Sequence, residues 1–183
     1  MKKLCGIDEA GRGCLAGDLC VSGVALNSEI SGLNDSKKLS EKKRELLYEQ
    51  ICKNSKFLIV TFTSEEVDEL GLSQCLKKAL LKIKAEFYEY KFIFDGNTNF
   101  GVGGIQTMIK ADAILAEVSA ASILAKVTRD RNLLKAHEKY PNFNFLKHKG
   151  YATKAHIEAI KKYGYTEFHR KSYHLKALEK TLF

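Results

Sequence analysis

The amino-acid sequence predicts an α/β fold, a mixed sheet covered by helices on both faces. Three observations lead there. Short apolar runs of strand length alternate with stretches of helical periodicity. The first two strand-like runs are joined by a glycine-rich segment, a short connection that suits an antiparallel pair. A later helical stretch, Val118-Ser119-Ala120-Ala121-Ser122-Ile123-Leu124-Ala125, carries small residues around much of its circumference, so its backbone can lie close against a sheet.

Leu4–Asp8 and Leu19–Leu26 read as the opening strands, joined through Gly11-Arg12-Gly13-Cys14-Leu15-Ala16-Gly17. Ser40 can cap a helix over 41–53, with Glu41 in its first turn and Leu46, Leu47 and Ile51 as the buried stripe. Phe57–Phe62 is a third strand. Ser64 or Ser73 caps the next helical region, where Leu76, Ala79, Leu80, Ile83 and Phe87 repeat at the spacing of one buried face. The strand Lys91–Asp95 follows, then a loop holding Gly96, Gly101, Gly103 and Gly104, then a short extended piece Ile105–Ile109. A long helical run begins near Asp112 and ends at Pro141, and two shorter helices, about 153–162 and 172–182, close the chain. The expected organisation is one domain, a core over 1–140 with a basic helical extension over 141–183 packed on it.

Composition excludes several classes. The 183 residues are 45% hydrophobic and 28% charged with one proline, which is globular rather than disordered or collagenous. No apolar run approaches the roughly 20 residues of a membrane helix, and Asp8 and Glu9 interrupt the N-terminus before a signal-peptide core could form. Five cysteines without CxxC spacing favour neither a disulfide framework nor a zinc knuckle, so the expected compartment is the cytoplasm. The charge is segregated. Residues 1–125 hold 16 Lys/Arg against 17 Asp/Glu, net −1, whereas 126–183 hold 14 against 5, net +9. With Tyr140, Tyr151, Tyr163, Tyr165 and Tyr173 among its lysines, the basic third suits nucleic acid first and a membrane surface second, or else a solvated face.

Asp8 and Asp95 each close an apolar strand, and in α/β sheets ligands bind beyond the carboxyl ends of strands. If those strands are parallel neighbours, the two aspartates share one edge, and Glu9 and Asp112 could complete an all-oxygen cluster of the kind Mg²⁺ or Mn²⁺ prefers. Ordinary uses stand beside this: Asp95-Gly96 as a turn, Asp112 as a helix cap, Glu9 on a solvated loop. Gly11-Arg12-Gly13 lets backbone N–H groups approach an anion or hydroxyl, but lacks the Gly-Lys-Ser/Thr of a nucleotide triphosphate loop. The lysines of Asp35-Ser36-Lys37-Lys38 can meet phosphates or water.

Taken in order, Asp8-Glu9-Ala10-Gly11-Arg12-Gly13, Asp35-Ser36-Lys37-Lys38-Leu39, Asp95-Gly96, Lys110-Ala111-Asp112, Ala120 to Val127 with Arg129-Asp130, Tyr140-Pro141, His148-Lys149-Gly150-Tyr151 and His169-Arg170-Lys171-Ser172 closely resemble the bacterial ribonuclease HII family. The resemblance runs from residue 5 to about 173. It implies a ribonuclease H-like mixed sheet with a small helical C-terminal lobe, and an endonuclease that hydrolyses the RNA strand of RNA/DNA hybrids. It also implies incision 5′ of single ribonucleotides in duplex DNA, by two Mg²⁺ or Mn²⁺ ions, leaving 3′-hydroxyl and 5′-phosphate ends. Asp8, Glu9, Asp95 and Asp112 match the family's catalytic, metal-binding carboxylates. Gly11, Arg12 and Gly13 match the segment that senses the 2′-hydroxyl, Tyr151 the tyrosine that stacks under that sugar, and Ser36 and Lys37 substrate contacts. A monomer without a membrane partner is expected. His148, His156 and His169 read as phosphate contacts or core hydrogen bonders. Asp18 stands where the family usually has proline, and Ala111 where glycine usually precedes the aspartate. The extra N-terminal domain of the related ribonuclease HIII and a sliding-clamp-binding tail are not expected.

Overall fold

Five strands form one sheet in the order β3-β2-β1-β4-β5. They are β1 (Leu4–Ala10), β2 (Leu19–Leu26), β3 (Ser55–Phe62), β4 (Lys91–Asp95) and β5 (Ile105–Met108). The helices are α1 (Glu41–Asn54), α2 (Ser64–Leu70), α3 (Leu72–Glu86), α4 (Ala116–Lys139), α5 (Phe145–His148) and α6 (Lys154–Tyr163). This computed structural model describes residues 3–34 and 36–173, and the side chain of Lys37 and all but the first two residues of the predicted helix 172–182 lie outside the described residues. β1 pairs antiparallel with β2 and parallel with β4, so the mixed sheet predicted from the short glycine-rich join is present.

Strand alternation assigns the two faces. Cys5 and Ile7 of β1, Leu19 and Val21 of β2 and Phe92 and Phe94 of β4 pack with Leu76, Ala79, Leu80 and Ile83 of α3. The opposite face meets α4 and α1, where Val24 packs with Ala120, Ala121 and Leu124 and with Leu47 and Ile51. The small residues of α4 permit a very close approach: a Cβ at Gly6 would stand 2.3 Å from the Val118 nitrogen. A third cluster joins Leu15 and Ala16 to Leu133, Ala136, Phe143, Phe145 and Ile160, seating the C-terminal lobe against the glycine segment and the end of α4.

Several element boundaries differ from the sequence reading. Thr63, not Ser64 or Ser73, caps α2, through a reciprocal box in which the Glu66 N–H donates to the Thr63 hydroxyl and the Glu66 carboxylate accepts from the Thr63 N–H. Gly71, at φ 78°, then separates α2 from α3. Leu46 is 55% exposed, so the buried stripe of α1 is Leu47 and Ile51 alone. α4 begins at Ala116, because Lys110 takes a left-handed conformation at φ 60° and Ala111–Ala113 form a single 3-10 turn. Asp112 therefore stands on a rigid turn ahead of the helix. The four-residue α5 adds a single turn that is too short to show helical periodicity in the sequence.

Candidate active site

The parallel pairing of β1 with β4 sets Gly6 opposite Ile93 and Ile7 opposite Phe94, so Asp8 and Asp95 follow side by side. Both have the parity of Gly6 and thus face α4. Asp95 is locked from behind, accepting from the Lys110 N–H at 2.9 Å and from the Asp112 N–H at 3.4 Å. Those bonds also carry Asp112 to the group. Carboxylate oxygens of Asp8, Asp95 and Asp112 lie within 4.8 Å of one another, the only such group of potential metal ligands among the described residues. Asp112 is 8% exposed.

Glu9, the fourth carboxylate of the sequence reading, stays outside that triad. One residue beyond Asp8 on a strand, it has the opposite parity. It lines the same cleft, lies 3.6 Å from the Arg12 guanidinium, and leaves Oε2 buried without a hydrogen-bond partner among the described residues. Burial pushes the Asp8 carboxyl well above its ordinary range, with the Glu9 and Asp95 charges adding to it against hydrogen bonds from Ser122 and the Glu9 N–H. Burial also raises Glu9, opposed by Arg12. Like charges held together out of water are the mark of a site suited to a cation.

The cleft, about 540 Å³, brings the triad's Asp8 and Asp95 together with Gly11, Arg12, Gly13, Ser36 and Tyr151. Gly11 is required by its geometry: φ is 96° and a Cβ there would stand 2.4 Å from the Asp18 carbonyl oxygen. Ser36, 3% exposed, shares a 2.8 Å hydrogen bond with Ser122, so the two hydroxyls connect the 36–38 turn to Asp8. Tyr151 is 48% exposed, with the Arg129 guanidinium 6.0 Å from its ring centroid and Cys14 beside its hydroxyl.

Four polar side chains of the cleft are not among the site residues that the sequence predicts: Ser122, Lys126 and Arg129 of α4, and Arg44 of α1. The signal was available for the first three, since spacings of four and three place them on one helix face. Arg44 gave none, because its place depends on its donation to the Ser36 and Leu39 carbonyls of the adjoining turn. The three cations among them line the same cleft as Asp8 and Asp95, with Lys126 paired to Asp130 at 2.8 Å and Arg129 buried on the Ala16 and Lys149 carbonyls. The three histidines lie elsewhere, in the C-terminal lobe, where His148 and His156 stack at 4.1 Å and His156 and His169 meet at 3.0 Å.

The comparisons with known proteins agree with this arrangement. A family model described as Ribonuclease HII matches residues 5–176. The ribonuclease HII of Campylobacter concisus is 58% identical over 176 residues, 96% of this chain and 95% of its own. That of Sulfurovum sp. is 57% identical over 183 residues, 100% of this chain and 97% of its own. Among solved structures, the ribonuclease HII of Archaeoglobus fulgidus, determined in complex with PCNA, superposes with a TM-score of 0.81 at 30% identity, over 95% of this chain and 96% of that one. A Bst-RNase HIII in complex with Mn²⁺ shares the fold at TM-score 0.77 and 16% identity, over 98% of this chain and 68% of that one. The sheet is thus the ribonuclease H-like one, and a match that extends over nearly every residue, in sequence and in backbone course alike, shows that this chain belongs to the ribonuclease HII family.

Proposed function

We propose that this ribonuclease H, besides hydrolysing the RNA strand of RNA/DNA hybrids, incises duplex DNA on the 5′ side of a single embedded ribonucleotide and leaves 3′-hydroxyl and 5′-phosphate ends. The observation that carries the reading is the convergence of Asp8, Asp95 and Asp112 within 4.8 Å at a cleft whose wall holds Gly11–Gly13 and Tyr151.

The donor set fits the divalent cations on which the family depends. It is all oxygen, it concentrates charge that burial makes costly, and the unpartnered Glu9 Oε2 adds a fourth acceptor in the same cleft. Asp8, Asp95, Asp112 and Glu9 would hold Mg²⁺ or Mn²⁺, and a bound pair would supply an activated water and charge stabilisation at the leaving 3′-oxygen. The protein's own part is positioning. The Lys110 and Asp112 N–H groups orient the Asp95 carboxylate, and Ser122, backed by Ser36, orients that of Asp8. Arg44 and Lys126, the latter paired with Asp130, would supply positive charge along the phosphodiester backbone, while Arg129, 1% exposed, holds the Ala16, Asp18 and Lys149 carbonyls behind them. A ribonucleotide differs from its neighbours in DNA by one hydroxyl, so selection needs donors and a close ring at that one atom, the parts offered by Gly11-Arg12-Gly13 and the half-exposed Tyr151. Lys37 is proposed as a further substrate contact.

Cleavage mapping on a labelled duplex with one ribonucleotide tests the reading. The expected result is a single cut on the ribonucleotide's 5′ side, absent in EDTA and restored by Mg²⁺ or Mn²⁺. Asp8→Asn is expected to lower kcat at least about 100-fold while duplex binding persists. Cleavage by Asp8→Asn near the parental rate, or cutting in EDTA, would overturn it.

A further inference from the structure

The segment Thr166–Tyr173 takes no place in the cleft, yet it reaches both recognition parts from behind. Arg170 is 1% exposed and donates through Nη1 to the carbonyls of Gly11 at 2.6 Å and Arg12 at 3.2 Å, and through Nη2 to that of Gly17 at 2.8 Å. The Tyr173 hydroxyl donates to the same Arg12 carbonyl at 2.8 Å and accepts from Arg170 Nη1 at 3.1 Å. Main-chain bonds complete the seam, from Arg170 N–H to the Leu15 carbonyl and from Gly17 N–H to that of Phe168.

The other arm starts at the neighbouring residue. The Thr166 N–H donates to His169 Nδ1 at 2.9 Å, so the His169 proton lies on Nε2. That proton is donated to His156 Nε2 at 3.0 Å, which leaves His156 to donate from Nδ1 to the Tyr151 carbonyl at 2.9 Å. The tautomers of both rings follow from one backbone N–H. His156 and His169 are 0% and 2% exposed, so the chain of bonds is shielded from water.

A buried guanidinium bound to neutral carbonyls is a costly way to hold a loop, and Arg170 Nε has no hydrogen-bond partner among the described residues. Its geometry suits one task. By occupying the carbonyls of Gly11 and Arg12, it fixes those peptide planes, and with them the direction of the N–H groups on their far side. We infer that Arg170 with Tyr173, and His169 through His156, are positioning residues that hold Gly11–Gly13 and Tyr151 in register, so that one segment tunes selection of a lone ribonucleotide. This rests on the proposed role of Gly11–Gly13 and Tyr151 in sensing that nucleotide.

The measurement is the ratio of kcat/KM on a duplex with one ribonucleotide to kcat/KM on a continuous RNA/DNA hybrid. Both substrates see the same folded fraction, so destabilisation alone leaves the ratio unchanged. On a continuous RNA strand every register presents a 2′-hydroxyl, whereas a lone ribonucleotide offers one. Arg170→Lys, Tyr173→Phe and His156→Gln are each expected to lower the ratio about fivefold or more, the size of one lost hydrogen bond. Tyr173→Phe keeps the ring and loses only a hydroxyl, so it reports even where the other variants fold poorly. Tyr151→Ala is the control. If it lowers the ratio but the positioning variants depress both substrates equally, or only one arm responds, the inference falls. If Tyr151→Ala itself leaves the ratio unchanged, the recognition reading fails and takes the inference with it.

Discussion

Asp8 carries the electrostatic tension of the site. It is held with Asp95 and Asp112 within 4.8 Å, and burial raises its pKa well above the carboxylate range. A carboxyl whose folded pKa is raised destabilises the fold progressively as pH rises from its unfolded value toward its folded one. Metal-free protein at neutral pH therefore bears this cost, and a cation relieves it. Asp8→Asn is expected to raise the thermal midpoint of the chelated protein at pH 7.5 and to shrink the further rise that Mn²⁺ produces in the parent. Scanning calorimetry with and without Mn²⁺ checks both, and a lower midpoint for chelated Asp8→Asn would contradict the account. The four carboxylates are not equivalently placed. A strand turns successive side chains to opposite faces, so Glu9, although it borders Asp8 in the same cleft, stands beside the Asp8, Asp95 and Asp112 group rather than within it.

At the scale of the element, the contact between β1 and α4 decides where Asp8 sits. Gly6 two residues earlier has α4 backbone directly above it, and the α4 residues around that crossing are Val118, Ser119, Ala120 and Ala121, all at most 2% exposed. Gly6→Ala would force strand and helix apart, since the blocking atoms at 2.3 and 2.4 Å belong to main chain. The expected cost is about 2–3 kcal/mol in chemical denaturation, with a loss of activity larger than the unfolded fraction explains, as Asp8 and Ser122 lie on the two elements being separated. Wild-type stability in Gly6→Ala would refute the close crossing. The run of small residues makes α4 legible in the sequence as the buried helix. Its start is not, because Lys110 in a left-handed conformation and the following 3-10 turn obey the Asp95 carboxylate rather than local periodicity.

For the molecule as a whole, the basic C-terminal lobe is fastened by neutral histidines. Burial lowers His156 and His169 to about 4, with His169 further lowered by its neighbour His156, and burial also lowers His148. A histidine whose folded pKa is depressed contributes stability above its unfolded value near 6.5 that is lost as pH falls toward the folded value. The two most shifted rings are expected to lower the unfolding free energy by about 2 kcal/mol or more between pH 7 and pH 5, against the gain from the raised Asp8 and Glu9 carboxyls over the same range, so their part is read as the difference between the parent and a variant carrying His156→Gln and His169→Gln. Urea titrations of both proteins at the two pH values measure it, and the same pH response in parent and variant would show that the rings are not neutral in the fold. The lobe packs against Leu15, Ala16 and Leu133, so its loosening reaches the glycine segment as well.

The sequence by itself determined the order of the five strands and of the long helices α1, α3 and α4 between and after them, the aspartates at the ends of β1 and β4, the glycine segment after Asp8 and the family likeness. All of these are written as local periodicity, turn chemistry or contiguous motif. Only the tertiary structure decided that Glu9 stands apart from the triad, that Ser122 and Ser36 back Asp8, and that Arg170 and His169, some 160 and 20 residues from the parts they hold, reach them from behind. Strand parity, sheet order and the burial of a guanidinium depend on which elements meet, and such meetings are settled by packing between residues far apart in the chain.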